Sequence, residues 1–264
     1  MKIHIQLIVI CLVFLSACKT SEKKDKLSES PRHHEWVDLQ RSDSTICKAF
    51  VVYPESDKPT KSVIVIHENR GLNKWARTFA DQLAQKGYLV IAPDLISNTV
   101  EGIEKTTDFK NSDEARKAIY ALDKDMVTAD LNNAYNYIKN DKASTDEVSV
   151  MGFCWGGSQT FRYATNNPAI KEALVFYGTA PRDSTVFANI QAPVYGFYGG
   201  NDNRVNSTIE DTKKYMDNNG KSYEYVIYEG AGHAFMRRGA AYDGSAENKK
   251  AHDQAWKKLL AILK

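Results

Sequence analysis

Short apolar runs alternate with helix-like patterns along the chain from about residue 46 onward. One run, Val63-Ile64-Val65-Ile66, contains no polar residue. Strands without polar alternation are typical of a parallel sheet that is covered on both faces. The apolar runs predict seven strands, over residues 46–53, 62–67, 88–92, 147–151, 173–177, 194–198 and 223–228.

Between these strands, apolar residues recur at helical spacing. Trp75, Phe79 and Leu83 form one stripe at four-residue spacing, as expected for a helix that packs on a core. The alternation of strands and helices predicts one α/β domain over residues 35–264, with a mostly parallel sheet and helices on both faces. Residues 97–123 are polar and predict an excursion above the sheet. Further helices are predicted over residues 129–138, 159–166, 208–216 and 247–263.

The first residues have a different character. Lys2 precedes an apolar run over residues 5–15, and the run ends in the sequence LSAC at residues 15–18. The run is short for a membrane span and ends in small residues, a pattern typical of a cleaved signal. The ending resembles the lipobox of bacterial lipoproteins. That resemblance implies a signal peptide over residues 1–17, a lipid on Cys18, and a bacterial cell-envelope protein held on a membrane. An ordinary secretory signal or an uncleaved anchor is the alternative.

Composition and charge narrow the remaining possibilities. Residues 18–34 are polar with mixed charge, which predicts a flexible tether, and the adjacent His33 and His34 are expected to be solvated and not to bind metal. The 264 residues are 42 % hydrophobic, enough for one large core. Lys plus Arg total 35 against 33 acidic residues. Without a basic face, no nucleic-acid partner is predicted, and a small-molecule site is favoured.

A glycine-flanked cysteine follows the predicted strand over residues 147–151. Cys154 lies between Gly152 and Gly156, and a helical pattern begins directly afterwards. A sharp strand-to-helix turn needs small residues at those two positions and lifts the sulfur clear of the sheet. The N–H groups at the helix start favour negative charge on the sulfur. A buried cysteine in a glycine-rich turn is the alternative for this motif alone, and Cys47, within an apolar run, is predicted to be inert.

Two further polar residues complete a pattern of three. Asp202 and His233 each follow a predicted strand, as Cys154 does, and the chain order is nucleophile, acid, histidine. The carboxyl ends of parallel strands meet at one edge of a sheet, where sites of this type are built. The sequence therefore predicts a catalytic triad of Cys154, Asp202 and His233.

With these motifs in order, the sequence resembles the dienelactone hydrolases, which belong to the α/β-hydrolase superfamily. The resemblance extends from about residue 63 to the last predicted helix. The matching segments are HENRG at residues 67–71, GY at 87–88, APDL at 92–95, GFCWGG at 152–157, GHAF at 232–235 and AW at 255–256.

The resemblance implies a role for several residues. It makes Cys154 the nucleophile, Asp202 the acid and His233 the base. It also implies that Glu68 contacts the resting thiol and helps to deprotonate it when substrate arrives. A strand-end carboxylate bonded to local N–H groups is the alternative for Glu68. His67 is assigned no chemistry and is expected to be a packed, hydrogen-bonded ring.

Further implied residues concern the substrate. The backbone N–H groups of Trp155 and Asn69 are expected to form the oxyanion hole. Arg237 matches an arginine that binds a substrate carboxylate, a solvated surface charge being the alternative. Arg70 stands where an apolar residue is frequent in the family, so the pocket floor is expected to differ. Arg116 and Tyr120 depart from the family spacing and are assigned no role.

The resulting hypothesis is an enzyme that cleaves small esters or lactones through a thioester on Cys154, with no metal or organic cofactor. A general carboxylesterase or acyl hydrolase of the same fold is one alternative, because fold and triad do not fix the substrate. A non-catalytic envelope-binding lipoprotein is another. A thiol redox protein is disfavoured because no Cys-x-x-Cys motif contains Cys154. The sequence leaves the natural substrate and the oligomeric state open.

Overall fold

One eight-stranded sheet runs through the part of the chain that the computed structural model describes, residues 27–264. The predicted signal peptide, Cys18 and the first part of the predicted tether lie outside these residues. The strands are β1 (His34–Gln40), β2 (Ile46–Val52), β3 (Thr60–Ile66), β4 (Leu89–Pro93), β5 (Ser144–Phe153), β6 (Ala173–Phe176), β7 (Val194–Gly199) and β8 (Tyr223–Tyr228).

The strands lie in the order β1-β2-β4-β3-β5-β6-β7-β8. From β4 to β8 all neighbours are parallel, whereas β1 and β2 join as an antiparallel edge. The sheet is therefore mostly parallel, as predicted. The helices are α1 (Lys74–Ala84), α2 (Ser112–Ala121), α3 (Lys124–Lys139), α4 (Trp155–Asn166), α5 (Asn203–Asn206), α6 (Ile209–Asn218), α7 (Phe235–Ala240) and α8 (Ala246–Ile262).

Helices cover both faces of this sheet, and β3 shows why its sequence is continuously apolar. Val63 and Val65 belong to a core shared with α1, α7 and α8, whereas Ile64 and Ile66 belong to a core shared with α3, α4 and α6. All four side chains are fully buried. Successive side chains of a strand point to opposite faces, so a strand that is covered on both sides needs apolar residues at every position.

All seven predicted strands are present, with ends shifted by a few residues. Strand β1 was not predicted, because its residues are mostly half-exposed at the antiparallel edge. The helices α2, α5 and α7 were not predicted either, and α2 lies within the polar stretch 97–123.

The end of the predicted tether is packed against the domain and is not free. Arg32 donates to both carboxylate oxygens of Asp81 on α1, at 2.8 and 2.7 Å, and Ser30 and His34 contact the same carboxylate. Burial raises the pKa of Asp81, but the hydrogen bonds from Arg32, Ser30 and His34 outweigh it and lower that pKa. Residues 30, 32 and 34 thus contact α1, and Asp81 pairs with charges that look solvated in the sequence. No helix within residues 27–264 is long and apolar enough to cross a membrane.

Candidate active site

Cys154 stands on a tight turn between β5 and α4. Its backbone has φ 57° and ψ −115°, in the region that side chains rarely adopt, at a cost of about 1–3 kcal/mol. A Cβ added to Gly152 would lie 2.3 Å from the carbonyl oxygen of Gly156, and one added to Gly156 would lie 2.3 Å from that of His67. The turn can close only because both flanking positions are glycine, as the sequence predicted.

The structure brings the three predicted triad residues into one chain of hydrogen bonds. His233 Nε2 lies 3.1 Å from Cys154 Sγ, and His233 Nδ1 lies 2.5 Å from Asp202 Oδ2. The three residues follow β5, β7 and β8, so parallel strands deliver them to the same edge. Asp202 is buried, whereas Cys154 and His233 are half-buried and accessible from the cavity described below.

This arrangement favours a protonated imidazole. Burial lowers the pKa of His233, but the hydrogen bonds to Asp202 and Cys154 and their negative charges outweigh it and raise that pKa to about 9. At neutral pH the ring therefore carries a proton beside the sulfur. The ring N–H at Nε2 is thus available as a hydrogen-bond donor to Cys154 Sγ.

His67 packs beneath this site and is fully buried. The backbone N–H of Leu95 donates to His67 Nε2 at 3.4 Å, so the ring proton lies on Nδ1, which donates to the Glu68 carbonyl at 2.8 Å. Burial lowers the pKa of His67 and keeps the ring neutral. The ring stacks on Trp155 with centroids 5.6 Å apart. His67 is a packed, hydrogen-bonded ring, as expected from the sequence.

Glu68 has partners that the sequence did not predict. Arg237 Nε donates to Glu68 Oε2 at 2.7 Å, and the hydroxyl of Tyr177 donates to Oε1 at 3.3 Å. Within residues 27–264 no hydrogen bond joins Glu68 to Cys154, whose sulfur contacts His233 instead. The hydrogen bonds of the buried Glu68 carboxylate thus go to Arg237 and Tyr177 in this arrangement and not to the thiol.

Tyr177 is the main residue of the site that sequence reasoning missed. It is fully buried, has a positive φ of 41°, and packs edge-on against the ring of His233 with centroids 5.1 Å apart. The available signal was its position, because the predicted strand over residues 173–177 ends on this tyrosine at the same edge as the triad. Tyr177 contacts the Glu68 carboxylate through its hydroxyl and the His233 ring through its own ring, and so helps to fix the positions of both.

A cavity of about 480 Å³ opens over Cys154 and His233. Asn69 and Trp155, the predicted oxyanion residues, both line it, and the Asn69 amide donates to the hydroxyl of Tyr120 on α2 at 3.3 Å. The lining is strongly basic, with Glu68 as its one carboxylate. Its arginines are Arg70, Arg116, Arg204 and Arg237.

Arg204 and Arg116 had no predicted role, although Arg204 lies only two residues beyond Asp202. Arg237 is 32 % exposed and is the cavity arginine that pairs with Glu68. No group of three or more His, Cys, Asp or Glu side chains that could hold a metal ion occurs in the part of the chain that is described.

Comparison with known families gives this site a context. The family model described as the dienelactone hydrolase family matches residues 47–264, which is most of the chain. The chain belongs to the dienelactone hydrolase family.

Relatives and solved structures agree with this membership. The proteins named "Putative carboxymethylenebutenolidase" in Methylorubrum extorquens and Escherichia coli are each 31 % identical to this chain. The first match covers 81 % of this chain and 75 % of the relative, and the second covers 80 % and 79 %. The crystal structure of a dienelactone hydrolase-like promiscuous phosphotriesterase from metagenomic libraries is similar with a TM-score of 0.74 at 20 % identity, covering 88 % of this chain and 97 % of that one. This structural similarity supports the α/β-hydrolase fold of the family.

The raised pKa of His233 predicts an observable titration. The ring should stay protonated as the pH rises and lose its proton near pH 9. Asp202→Asn removes the carboxylate charge, so the midpoint should fall toward the ordinary value of 6.5. Histidine nitrogen NMR across this pH range measures both midpoints, and the spectrum of His233→Gln identifies the signal. A midpoint that Asp202→Asn leaves unchanged would contradict the electrostatic role of Asp202.

Proposed function

We propose that the protein hydrolyses small esters or lactones, with Cys154 as the nucleophile. The observation that carries this proposal is the hydrogen-bonded chain from Asp202 through His233 to Cys154 at the floor of an open cavity. The names of the relatives support the same reaction class, since a carboxymethylenebutenolidase acts on a lactone. A general carboxylesterase of the same fold remains the second candidate, and the choice of test substrates separates the two.

In the first step, the Cys154 thiolate attacks the carbonyl carbon and forms the carbon–sulfur bond. The carbonyl oxygen takes the negative charge, and its proposed stabilisers are the backbone N–H groups of Trp155 and Asn69, two residues that line the cavity. The carbon–oxygen bond then breaks, and the leaving oxygen takes the proton from His233 Nε2. The product of this step is a thioester on Cys154.

In the second step, His233 acts as a base. Its neutral Nε2 removes a proton from water, and the resulting hydroxide attacks the thioester carbonyl. The intermediate collapses with cleavage of the carbon–sulfur bond, which releases the carboxylic acid and restores the thiolate beside the imidazolium. Asp202 keeps the ring oriented in both steps through its bond to Nδ1.

The cavity favours an anionic substrate. Four arginines line it against one carboxylate, and that carboxylate is already paired. Arg237 uses Nε for Glu68, and its other guanidinium nitrogens form no hydrogen bond within residues 27–264. Because a guanidinium can grip a carboxylate through two parallel hydrogen bonds, Arg237 is proposed to hold a carboxylate of the substrate and to place the carbonyl for attack.

The proposed location follows from the N-terminal sequence. The LSAC ending at residues 15–18 is the basis for proposing that Cys18 carries a lipid and becomes the mature N-terminus. The hydrolase would then act at a membrane of the bacterial cell envelope.

The proposed mechanism predicts that Cys154 is the reactive thiol. Iodoacetamide at neutral pH should label Cys154 much faster than Cys47, which is fully buried and whose pKa is raised well above the ordinary value by burial. Loss of p-nitrophenyl acetate hydrolysis should follow the labelling of Cys154. Cys154→Ala should lower turnover about ten-thousandfold, to near the background rate. Peptide mass spectrometry and absorbance assays measure the two effects.

Cys47→Ala is the matched control and should keep both the labelling and the activity. Activity that persists after complete blocking of Cys154, or equal rates for wild type and Cys154→Ala, would favour a binding protein over an enzyme.

The proposed role of Arg237 predicts a substrate-dependent loss. Arg237→Ala alone would leave the buried Glu68 carboxylate without its cation, so the change is made in a Glu68→Gln background. Relative to Glu68→Gln, the double variant should lose roughly ten- to a hundredfold in kcat/KM for a carboxylate-bearing ester. That loss corresponds to about 1.5–3 kcal/mol for a charged hydrogen bond.

A neutral ester of the same size should be hardly affected by this double variant. Arg238→Ala, which changes the exposed neighbour, should alter neither substrate. Equal losses on both esters would assign Arg237 a structural role and favour the general carboxylesterase.

The proposed lipid on Cys18 predicts a modified N-terminus. Mass spectrometry of the N-terminal peptide from native membranes should find a diacylglycerol-modified Cys18, and Cys18→Ser should release the protein into the soluble fraction. An unmodified Cys18 or an intact Met1 would contradict the anchor.

A further inference from the structure

A second cavity of about 560 Å³ adjoins the catalytic one. The two cavities share Ser158, in the first turn of α4, and Thr179, in the loop after β6. The backbone N–H of Thr179 donates to Ser158 Oγ at 2.8 Å, and the two hydroxyl oxygens lie 3.2 Å apart. These two hydroxyl-bearing residues line both cavities, so a bound molecule that passes them extends from one cavity into the other.

The second cavity is also basic. Lys124, Arg162 and Arg182 line it, and the one acid among its lining residues is Asp183. Asp183 Oδ1 accepts hydrogen bonds from the backbone N–H and the hydroxyl of Thr185, at 2.9 and 2.7 Å. This carboxylate therefore serves a local turn, and three cations line the cavity against this one acid.

Arg162 is the best-defined of these cations. Its guanidinium donates to Gln159 Oε1 at 3.0 Å, to Thr128 Oγ1 at 2.8 Å and to the Lys124 carbonyl at 2.8 Å. All three acceptors are uncharged, and no ion pair to Arg162 occurs within residues 27–264. A guanidinium has five N–H groups, so two remain for a ligand. Burial lowers the pKa of Arg162 by more than the negative charges of Asp125 and Asp123 raise it.

The distance between the two sites sets the length of the ligand. Cys154 caps α4 and Arg162 lies on the same helix eight residues later. At 1.5 Å per residue, their positions are about 12 Å apart along the helix axis. An extended substrate chain can span this distance, with its reacting carbonyl at Cys154 and a second polar group at Arg162.

We propose that the second cavity binds a remote carboxylate of an extended ester substrate whose carbonyl lies at Cys154. Arg162 is the main contact, Arg182 adds a solvent-exposed cation, and Ser158 and Thr179 border the connecting arm. The inference rests on the proposed hydrolase function and narrows its substrate class. The preferred substrate carries a carboxylate about 12 Å from the scissile bond, on the arm that passes Ser158 and Thr179.

Matched esters test this length and charge requirement. The probes are the p-nitrophenyl monoesters of butanedioic acid and dodecanedioic acid, together with the long diester in which a methyl group caps the far carboxylate. Wild type should prefer the long acid over its capped form. Arg162→Gln and Arg182→Ala should each lower kcat/KM for the long acid, by roughly tenfold for Arg162→Gln and less for the exposed Arg182. Both should leave the short monoester and the capped diester unchanged.

Several controls separate binding from folding. Arg162→Lys keeps the charge and should restore most of the preference for the long acid. Lys214→Ala, an exposed cation on α6 outside both cavities, should change nothing. A long-to-short ratio that is the same in wild type, Arg162→Gln and Arg182→Ala overturns the second site and leaves the hydrolase intact. A wild type that cleaves none of the esters overturns the proposed function and this inference together.

Discussion

The close approach of two backbone segments at the turn of Cys154 is the constraint on which the site depends. A side chain at Gly156 would overlap the carbonyl oxygen of His67, so only glycine lets the start of α4 touch the end of β3. That contact brings Glu68 and Asn69 into the same cavity lining as Cys154, although they lie far away in sequence. The arrangement of the residues around the cavity thus depends on the lack of a Cβ atom at Gly156.

Strained backbone surrounds the reacting groups. Cys154, Tyr177 and Ala234 all have positive φ values, of 57°, 41° and 61°, and each lies at or next to the site. Such conformations cost about 1–3 kcal/mol apiece and persist only where the surrounding structure over-determines them. The sheet does this here, because strands β5, β6 and β8 are held by neighbours before the chain leaves them. The stability of the two cores therefore fixes the orientation of the sulfur, the tyrosine and the histidine.

Features encoded locally were predictable from the sequence, and features set by distant contacts were not. The apolar strands and the strand-end positions of Cys154, Asp202 and His233 follow from pattern and spacing alone. The pairing of Glu68 with Arg237 joins residues 169 positions apart, and only the fold shows that the carboxylate is already engaged. Strand β1 and the segment that docks on Asp81 were missed for a related reason, since edge strands and paired surface charges look like solvated chain.

The distribution of thiols has a consequence for oxidative damage. Within residues 27–264 the free cysteines are Cys154, beside a cationic imidazole, and Cys47, which lies on β2 and is fully buried. Peroxide converts an accessible thiolate to a sulfenic acid, which a nearby thiol normally captures as a disulfide. No described thiol can reach Cys154 for this purpose, so continued exposure carries the sulfur on to the irreversible sulfinic acid. The accessibility of Cys154 thus leaves its sulfur open to oxidation, with no accessible resolving thiol among residues 27–264.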